Sequence, residues 1–253
     1  MALSSMLMQE LCKRLKPGAR IASMGYPDLI APHKELEAIL GAKFYSLKYR
    51  DDSAAIEKWH GATQKVPTAE SFFSLMDCTL DVFDVVEHRG GEIIFDLNGT
   101  QNDKVRALYA RYDFVIDVGT MEHCFNIGVA ACNMAGLLRK GGIILHENPH
   151  NWGNHGFYGI QPTFYADFYG QQGFKLLECW LVPRGREPVK NIERKKRFAY
   201  QGPEANMIAI AERTEVLPVQ FVVQGKYKNM IPAAVAAPDA GDSGVQLKEK
   251  EHA

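Results

Sequence analysis

Titratable side chains follow two apolar runs in the middle of this 253-residue sequence. Asp117 ends the first run and is followed by Glu122 and His123, whereas His146 and Glu147 end the second. One helix length separates the two runs, which predicts a β-α-β crossover. Carboxylates beside imidazoles can transfer protons or bind a metal. Because ligands bind beyond the carboxyl ends of parallel strands, we expect a functional site where these runs end.

Histidines are the best candidates for a catalytic base, because an unperturbed imidazole titrates near pH ~6.5. His123 follows the first run, and His155 lies in a loop rich in glycine, asparagine and aromatic residues. Tyr158 of the same loop could donate to a substrate oxygen or simply anchor the loop. For His123, a buried histidine bonded to the backbone is an equally open interpretation.

A metal centre is not predicted, although histidines and carboxylates are available. The candidate ligands are His146, His150, His155, Glu122 and Glu147. Their spacings match no strong zinc pattern. Adjacent residues of a continuing strand also point to opposite faces, so His146 and Glu147 would diverge. A divalent cation is therefore possible as a cofactor but not expected.

Composition and charge exclude several classes of protein. A net charge of −1 gives no general attraction to nucleic acid or to anionic membranes. Five cysteines, an odd number without a C-x-x-C pair, favour a reduced and cytoplasmic environment. No run approaches the roughly eighteen apolar residues of a membrane span. Leucines at every fourth position over residues 3–16 predict an amphipathic helix rather than a signal peptide.

Alternating strand and helix patterns predict one three-layer α/β domain over residues 1–232. Strands are expected at 20–25, 79–86, 92–98, 114–117 and 143–145, and helices at 34–41, 69–76, 104–111, 127–139 and 162–172. Two final strands, 174–182 and 207–211, predict an antiparallel hairpin at the sheet edge. Residues 42–68 could lie over the sheet as a lid. The tail 233–253 lacks apolar periodicity, so we expect it to be disordered.

Several motifs, taken in order, resemble class I S-adenosylmethionine-dependent methyltransferases. The resemblance is greatest to a subgroup with Asp-Leu-Asn after one strand and Gly-Thr-x-Glu-His after the next. Here these motifs are Asp96-Leu97-Asn98 and Tyr112–His123. Gly141-Gly142 and the segment Asn151–Tyr158 follow, the latter with one extra residue, Asn154. The match spans roughly residues 18–230. It implies a Rossmann-like methyltransferase sheet, mostly parallel with an antiparallel C-terminal hairpin, and S-adenosylmethionine as cofactor.

Carboxylates at strand ends suit the nucleoside of such a donor. A ribose diol is well held by a carboxylate that accepts two hydroxyl hydrogen bonds. Asp84, twelve residues before Asp96, occupies the position that the resembling subgroup uses. Asp96, Leu97 and Asn98 could provide an acceptor and an apolar slot for adenine. The alternatives are a solvated aspartate at 84 and an Asn-Gly turn capped by Asp96.

The loop after the first strand departs from the glycine-rich pattern of class I enzymes. It has one glycine, Gly25, where three are usual, and Tyr26 and Pro27 narrow the loop. Gly25 still permits close backbone approach to a ligand. Either Asp28 contacts the ammonium group of the donor, or the donor does not bind. The resemblance adds two further donor-site residues, Asp117 and Gly119.

The expected acceptor is small and polar, for example a sugar hydroxyl of a glycan or secondary metabolite, which implies O-methylation. Basic residues between the last two strands would attract an anionic acceptor, unless they form only a solvated loop. They are Arg184, Arg186, Lys190, Arg194, Lys195, Lys196 and Arg197. The oligomeric state is not determined by the sequence.

Two rival functions are open at this point. A nicotinamide-dependent oxidoreductase would need G-x-G-x-x-G after the first strand, and that motif is absent. The second rival is a non-catalytic scaffold or binding subunit of the methyltransferase type. The single glycine of the first loop favours it, whereas the polar residues at the later strand ends argue against it.

Overall fold

A seven-stranded mixed sheet forms the centre of the computed structural model, which describes residues 2–61, 64–99, 103–190, 192, 200–218 and 221–230. The strands of the described residues, in chain order, are β1 (Ala2–Leu3), β2 (Arg20–Met24), β3 (Asp28–Leu29), β4 (Thr79–Asp84), β5 (Ile93–Ile94), β6 (Tyr112–Val118), β7 (Leu138–Pro149), β8 (Phe174–Pro183) and β9 (Ala205–Arg213).

The order across the large sheet is β5-β4-β2-β6-β7-β9-β8. The first five of these strands are parallel, whereas β9 is antiparallel to both β7 and β8. The chain therefore builds outward from β2 on one side and then crosses to β6 on the other. This arrangement confirms the predicted fold class, including the C-terminal hairpin. The crevice favoured for ligands lies beyond the ends of β2 and β6, where the order reverses.

Helices cover both faces of the sheet. In the described residues they are α1 (Ser5–Cys12), α2 (His33–Leu40), α3 (Ser53–His60), α4 (Ala69–Leu75), α5 (Asp103–Arg106), α6 (Ile127–Leu137) and α7 (Pro162–Gln171), with short 3-10 helices at Gly41–Ser46, Met121–His123 and Lys228–Met230. One buried cluster packs α6 and α7 on the sheet, and the other packs α1, α2 and α4 on its opposite face. Alternation along β6 divides the strand, since Val115 joins the first cluster and Phe114 and Ile116 join the second. The result is the expected three layers.

Two element boundaries differ from the sequence predictions for local reasons. The N-terminal helix covers Ser5–Cys12 rather than 3–16, because Ala2–Leu3 pairs with Asp28–Leu29 as a small parallel sheet. The strand predicted at 92–98 is only Ile93–Ile94. Two residues later Asp96 turns the chain, because its Oδ1 accepts from the backbone nitrogen of Asn98 at 2.9 Å.

The predicted lid segment packs beside the loop that follows β2. Leu47 belongs to the buried cluster under α2 and α4, and Tyr49 pairs with Pro67 in an isolated bridge. Arg50 of this segment reaches the Asp28 carboxylate. Movement as a lid stays a prediction. The tail 233–253 lies outside the described residues, and no helix within the described ranges has the length and apolarity to cross a bilayer.

Candidate functional site

The loops after β2 and β6 meet at the carboxyl edge of the sheet. Gly25 follows β2 with φ of 84°, and Gly119 follows β6 with φ of 81°, a region that glycine enters without strain. Thr120 Oγ1 donates to the Met24 carbonyl at 2.6 Å and joins the two loops. A Cβ atom on Gly25 would lie 3.6 Å from that hydroxyl. Gly25 thus keeps the backbone open at the crevice where the strand order reverses.

Asp84 is the last residue of β4 and lies on the same edge, half-buried. Its Oδ1 accepts from the backbone nitrogens of Val85 and Val86 at 2.7 and 3.3 Å. Its Oδ2 has no hydrogen-bond partner within the described part of the chain. One oxygen therefore fixes the turn, and the other is available to hydroxyl donors of a ligand.

Asp96 lies one strand further along the edge and is exposed. Its Oδ1 also accepts from Asn98 Nδ2 at 2.8 Å, and Asn98 Oδ1 accepts from the backbone nitrogen of Asn126. Asn133 of α6 donates to the Leu97 and Gly99 carbonyls. This loop is thus the capped Asn-Gly turn that was the alternative interpretation. The Leu97 side chain packs in the core at 6% exposure, and its contact with an adenine stays a prediction.

Asp28 is surrounded by basic side chains from other segments. It pairs with Arg50, and its oxygens lie 3.7 Å from His60 Nε2 and 3.9 Å from Arg89. Burial raises the pKa of the Asp28 carboxyl above its usual value in spite of these neighbours. Arg89 stacks over the Tyr26 ring at 3.6 Å. An ammonium contact by Asp28 stays a prediction, and it would have to share the carboxylate with Arg50.

Asp117 has no exposed surface and belongs to a buried polar network. Its Oδ1 accepts from the backbone nitrogens of Thr120 and Met121, and its Oδ2 accepts from Asn148. His146 Nδ1 lies 2.6 Å from the same Oδ2, so it donates, and Nε2 is left as an acceptor for the Tyr169 hydroxyl. The Asp117 side chain is fully buried in this network, and its contact with a donor stays a prediction. Asp117 positions the loop that begins at Gly119.

Glu122 lies in the short 3-10 helix that follows Gly119, and its side chain is fully buried. Its Oε2 accepts from Asn148 Nδ2 at 2.9 Å, while its Oε1 has no hydrogen-bond partner among the described residues. Burial, together with the neighbouring Asp117 and Glu147 carboxylates, raises the pKa of Glu122 to about 7. The sequence placed Glu122 among the strand-end acids but did not reveal that one of its oxygens would be buried and unpaired.

Two predicted catalytic residues meet above Glu122. His155 Nε2 lies 3.5 Å from Glu122 Oε1 and His123 Nε2 lies 3.8 Å from it. The two imidazole rings are in edge contact, with centroids 5.1 Å apart. Burial and the adjacent His155 lower the pKa of His123, so its imidazole is neutral near pH 7. The outer faces of both rings reach solvent, with side-chain exposures of 51% and 42%.

The loop that carries His155 is fastened to the loop after β6. Phe157 donates its backbone N–H to the Glu122 carbonyl at 2.8 Å, and Gly156, with φ of 66°, lets the two backbones approach. Tyr158 donates to the Phe125 carbonyl at 2.7 Å, which is the anchoring role considered for it. Its hydroxyl therefore holds the loop in place.

The remaining ligand candidates do not gather at this point. His146 is bound in the core network, and His150 Nδ1 lies 3.1 Å from the Ile160 carbonyl. In the basic loop, Arg184 pairs with Glu204 and Lys190 lies over the Trp180 ring. Arg194, Lys195, Lys196 and Arg197 lie outside the described residues. Attraction of an anionic acceptor by this loop stays a prediction.

Comparison with known proteins gives structural likeness only. No family model and no curated protein matches the sequence. Similar solved structures are methyltransferases. The 1,6-didemethyltoxoflavin-N1-methyltransferase of Burkholderia thailandensis, solved with S-adenosylhomocysteine, is 12% identical with a TM-score of 0.45, and the match covers 83% of this chain and 76% of that one.

Two further methyltransferase structures give similar values. A SAM-dependent methyltransferase of Archaeoglobus fulgidus is 11% identical, with coverages of 82% and 92% and a TM-score of 0.45. The trans-methyltransferase CalH, in complex with SAH, is 14% identical, with coverages of 81% and 54% and a TM-score of 0.45. At such identities and TM-scores the likeness carries no argument about activity. The fold assignment depends on the strand order itself.

Proposed function

We propose that this chain transfers a methyl group from S-adenosylmethionine to a small polar acceptor, most simply to a hydroxyl oxygen. The observation that carries the proposal is a set of three adjacent parallel strands: Gly25 follows β2, Asp84 ends β4, and Asp96 lies two residues after β5. They place a glycine backbone and two carboxylates on one edge of the sheet, beside the topological crevice.

The residues at this edge fit a nucleoside donor at one point in particular. Asp84 Oδ1 is used by its own turn, which holds the carboxylate rigid, and Oδ2 remains for two hydroxyl donors of a ribose. Gly25 presents backbone without a side chain toward the same crevice. The donor, when bound, supplies an electrophilic methyl group, so the protein has only to align and deprotonate the acceptor.

The acceptor side of the proposed site is formed by His123 and His155. A neutral imidazole in this position could take the proton of an acceptor hydroxyl during transfer, an effect that contributes about 10²–10⁴-fold in rate. Tyr158 supports the loop that carries His155. A glycan-like acceptor is in keeping with the polar, partly exposed imidazoles, and the basic side chains between β8 and β9 would favour an anionic one.

Titration with S-adenosylhomocysteine tests donor binding directly. Asp84→Asn is the sharpest variant, because the amide oxygen can still accept from Val85 and Val86 while the free oxygen becomes an N–H donor. We expect binding of the wild type in the micromolar range, weakened by at least about tenfold in Asp84→Asn, since a hydrogen bond to a charged group contributes about 1.5–3 kcal/mol.

The exposed Glu87 provides a matched control three residues away. Glu87→Gln removes one negative charge from the same edge and should leave the affinity within about twofold. No binding at millimolar ligand would contradict the proposal and favour a non-catalytic scaffold. Equal weakening by both variants would show that only net charge matters.

A further inference from the structure

The buried carboxylate of Glu122 and the imidazoles of His123 and His155 lie close together. The distances between their atoms are longer than those of hydrogen-bonded partners. The Nε2 atoms of His155 and His123 lie 3.5 and 3.8 Å from Glu122 Oε1, and each of the three side chains has one ligand atom within 4.8 Å of those of the other two. A hydrogen bond between nitrogen and oxygen would bring such atoms to about 2.7–3.2 Å. Ligands about 2.0–2.2 Å from one tetrahedral ion lie roughly 3.4 Å apart, which is close to the observed spacing.

One oxygen of the buried carboxylate lies next to the two imidazoles and lacks a hydrogen-bond partner among the described residues. Glu122 is 0% exposed, and its Oε1 has no hydrogen-bond partner within the described ranges. Its other oxygen is held by Asn148, which in turn donates to Asp117. A carboxylate fixed in this way, with one oxygen left unpaired, resembles a metal ligand oriented by its neighbours.

The backbone around Glu122 brings His155 to it. A Cβ atom on Gly156 would lie 2.9 Å from the Glu122 carbonyl, so only glycine permits this approach of the two loops. A Cβ atom on Gly119 would lie 3.5 Å from Glu122 Oε1. The approach places the imidazole of a residue 33 positions away in the chain over the buried carboxylate.

We propose that Glu122, His123 and His155 bind one divalent transition-metal ion of the zinc type. Two imidazoles and one carboxylate form a donor set that ions of the zinc type favour, whereas a hard ion such as Mg²⁺ prefers oxygen ligands. Both imidazole side chains are partly exposed, so solvent or a ligand can reach this group.

The metal site depends only on these side chains and not on methyl transfer. Its use in catalysis rests on the proposed function, where the ion would hold oxygen atoms of the acceptor. An Nε2 atom that binds a metal cannot also take a proton, so metal binding and a histidine base are mutually exclusive roles for these atoms.

Metal titration of the full-length, tag-free protein, first stripped with a chelator, tests the inference. We expect one equivalent of Zn²⁺ to bind, with Co²⁺ as a spectroscopic probe showing the visible bands of a low-coordinate nitrogen and oxygen site. Mg²⁺ should not compete. Glu122→Gln and His155→Ala should each weaken Zn²⁺ binding by at least about tenfold, since even changes to residues that only orient ligands cost about 10–100-fold.

His88 is an exposed histidine that does not belong to the group, and it serves as the matched control. His88→Ala should change Zn²⁺ affinity by less than about twofold, and circular dichroism should confirm that every variant is folded. Absence of stoichiometric binding, or equal binding in wild type and His155→Ala, would overturn the inference.

S-adenosylhomocysteine binding by the same samples separates the two proposals. Zn²⁺ binding without nucleoside binding would support the metal site and contradict the methyltransferase function. Nucleoside binding without Zn²⁺ binding would do the reverse. If the folded wild-type protein binds neither Zn²⁺ nor S-adenosylhomocysteine, both proposals are overturned.

Discussion

At the scale of single residues, two neighbouring buried carboxylates have contrasting environments. Asp117 accepts from two backbone N–H groups, from Asn148 and from His146, whereas Glu122 Oε1 has no hydrogen-bond partner in the described structure. Hydrogen bonds stabilise an ionised carboxylate, and burial without them disfavours it. Glu122 therefore has the raised pKa, about 7, at the point where a ligand or a cation could lower it.

The raised pKa of Glu122 predicts a pH dependence of stability. The pKa is about 7 in the folded protein against 4.5 for the free side chain, so the folded state binds more protons within that window. Stability contributed by the protonated carboxyl is present below pH about 4.5 and is lost as the pH rises toward 7. Glu122→Gln should remove this loss, so that its free energy of unfolding relative to wild type increases by up to about 3 kcal/mol between pH 4.5 and 8.

Urea unfolding at several pH values, with chelator present, measures that difference. Glu87→Gln should show the pH dependence of the wild type, because its carboxyl is exposed. A constant difference between wild type and Glu122→Gln across the window would contradict the prediction.

A second residue-scale prediction concerns the core pair of His146 and Tyr169. Tyr169→Phe keeps the packing but leaves His146 Nε2 buried without its hydroxyl partner, which should cost about 1–3 kcal/mol of unfolding free energy. Tyr45→Phe removes a hydroxyl that bonds Glu37 at the surface, where the ring is 77% exposed. That control should change stability by less than about 0.5 kcal/mol in the same urea titration. Equal effects of the two variants would show that the core network is not stabilising.

At the scale of elements, two loops form one unit at the edge of the sheet. The loop after β6 is held by Asp117, and the loop after β7 is bound to it through Phe157 and Tyr158. The contacts of Phe157 and Tyr158 are short in space but join residues 35 and 33 positions apart in sequence. The geometry of the candidate site therefore depends on how closely the second loop lies on the first.

Gly156→Ala tests that contact. The new Cβ would meet the Glu122 carbonyl at 2.9 Å in a left-handed backbone, so both strain and displacement are expected. Gly141→Ala is the matched control, since Gly141 has φ of 78° with nothing within 4 Å. Each variant should lose about 1–2 kcal/mol of stability from backbone strain, and Gly156→Ala should lose more. Only Gly156→Ala should also weaken Zn²⁺ binding, and equal stability losses would contradict the close approach of the two loops.

At the scale of the whole molecule, one sheet supports two separate buried clusters. Strands β6, β7 and β9 contribute alternate residues to each face, so neither cluster can form without the sheet. The crevice lies at the edge where both faces meet. The crevice therefore keeps its shape only while the complete three-layer domain is folded.

This shared sheet predicts a single cooperative unfolding transition. Leu7→Ala on α1 and Met134→Ala on α6 each empty a fully buried position, on opposite faces, and should each cost about 2–5 kcal/mol. Far-ultraviolet circular dichroism and tryptophan fluorescence should report coincident urea midpoints in both variants. A variant in which one probe shifts and the other does not would mean that the two faces unfold separately.

The sequence by itself determined the layered fold and the edge on which polar groups collect. Strands and helices leave local patterns of apolar residues and glycines, because their formation depends on near neighbours in the chain. The β6-α6-β7 crossover and the closing hairpin were therefore predictable. Asp84 and Asp96 were placed on the sheet edge for the same reason.

Only the tertiary structure decided which side chains meet. It buried Asp117 against His146, paired Asp28 with Arg50, turned Leu97 into the core and brought His155 to Glu122. Such contacts depend on how one loop folds over another and on which oxygen is left without a donor. The periodic sequence pattern does not predict these contacts, because the partners are far apart in the chain and the distances between their atoms are set by packing.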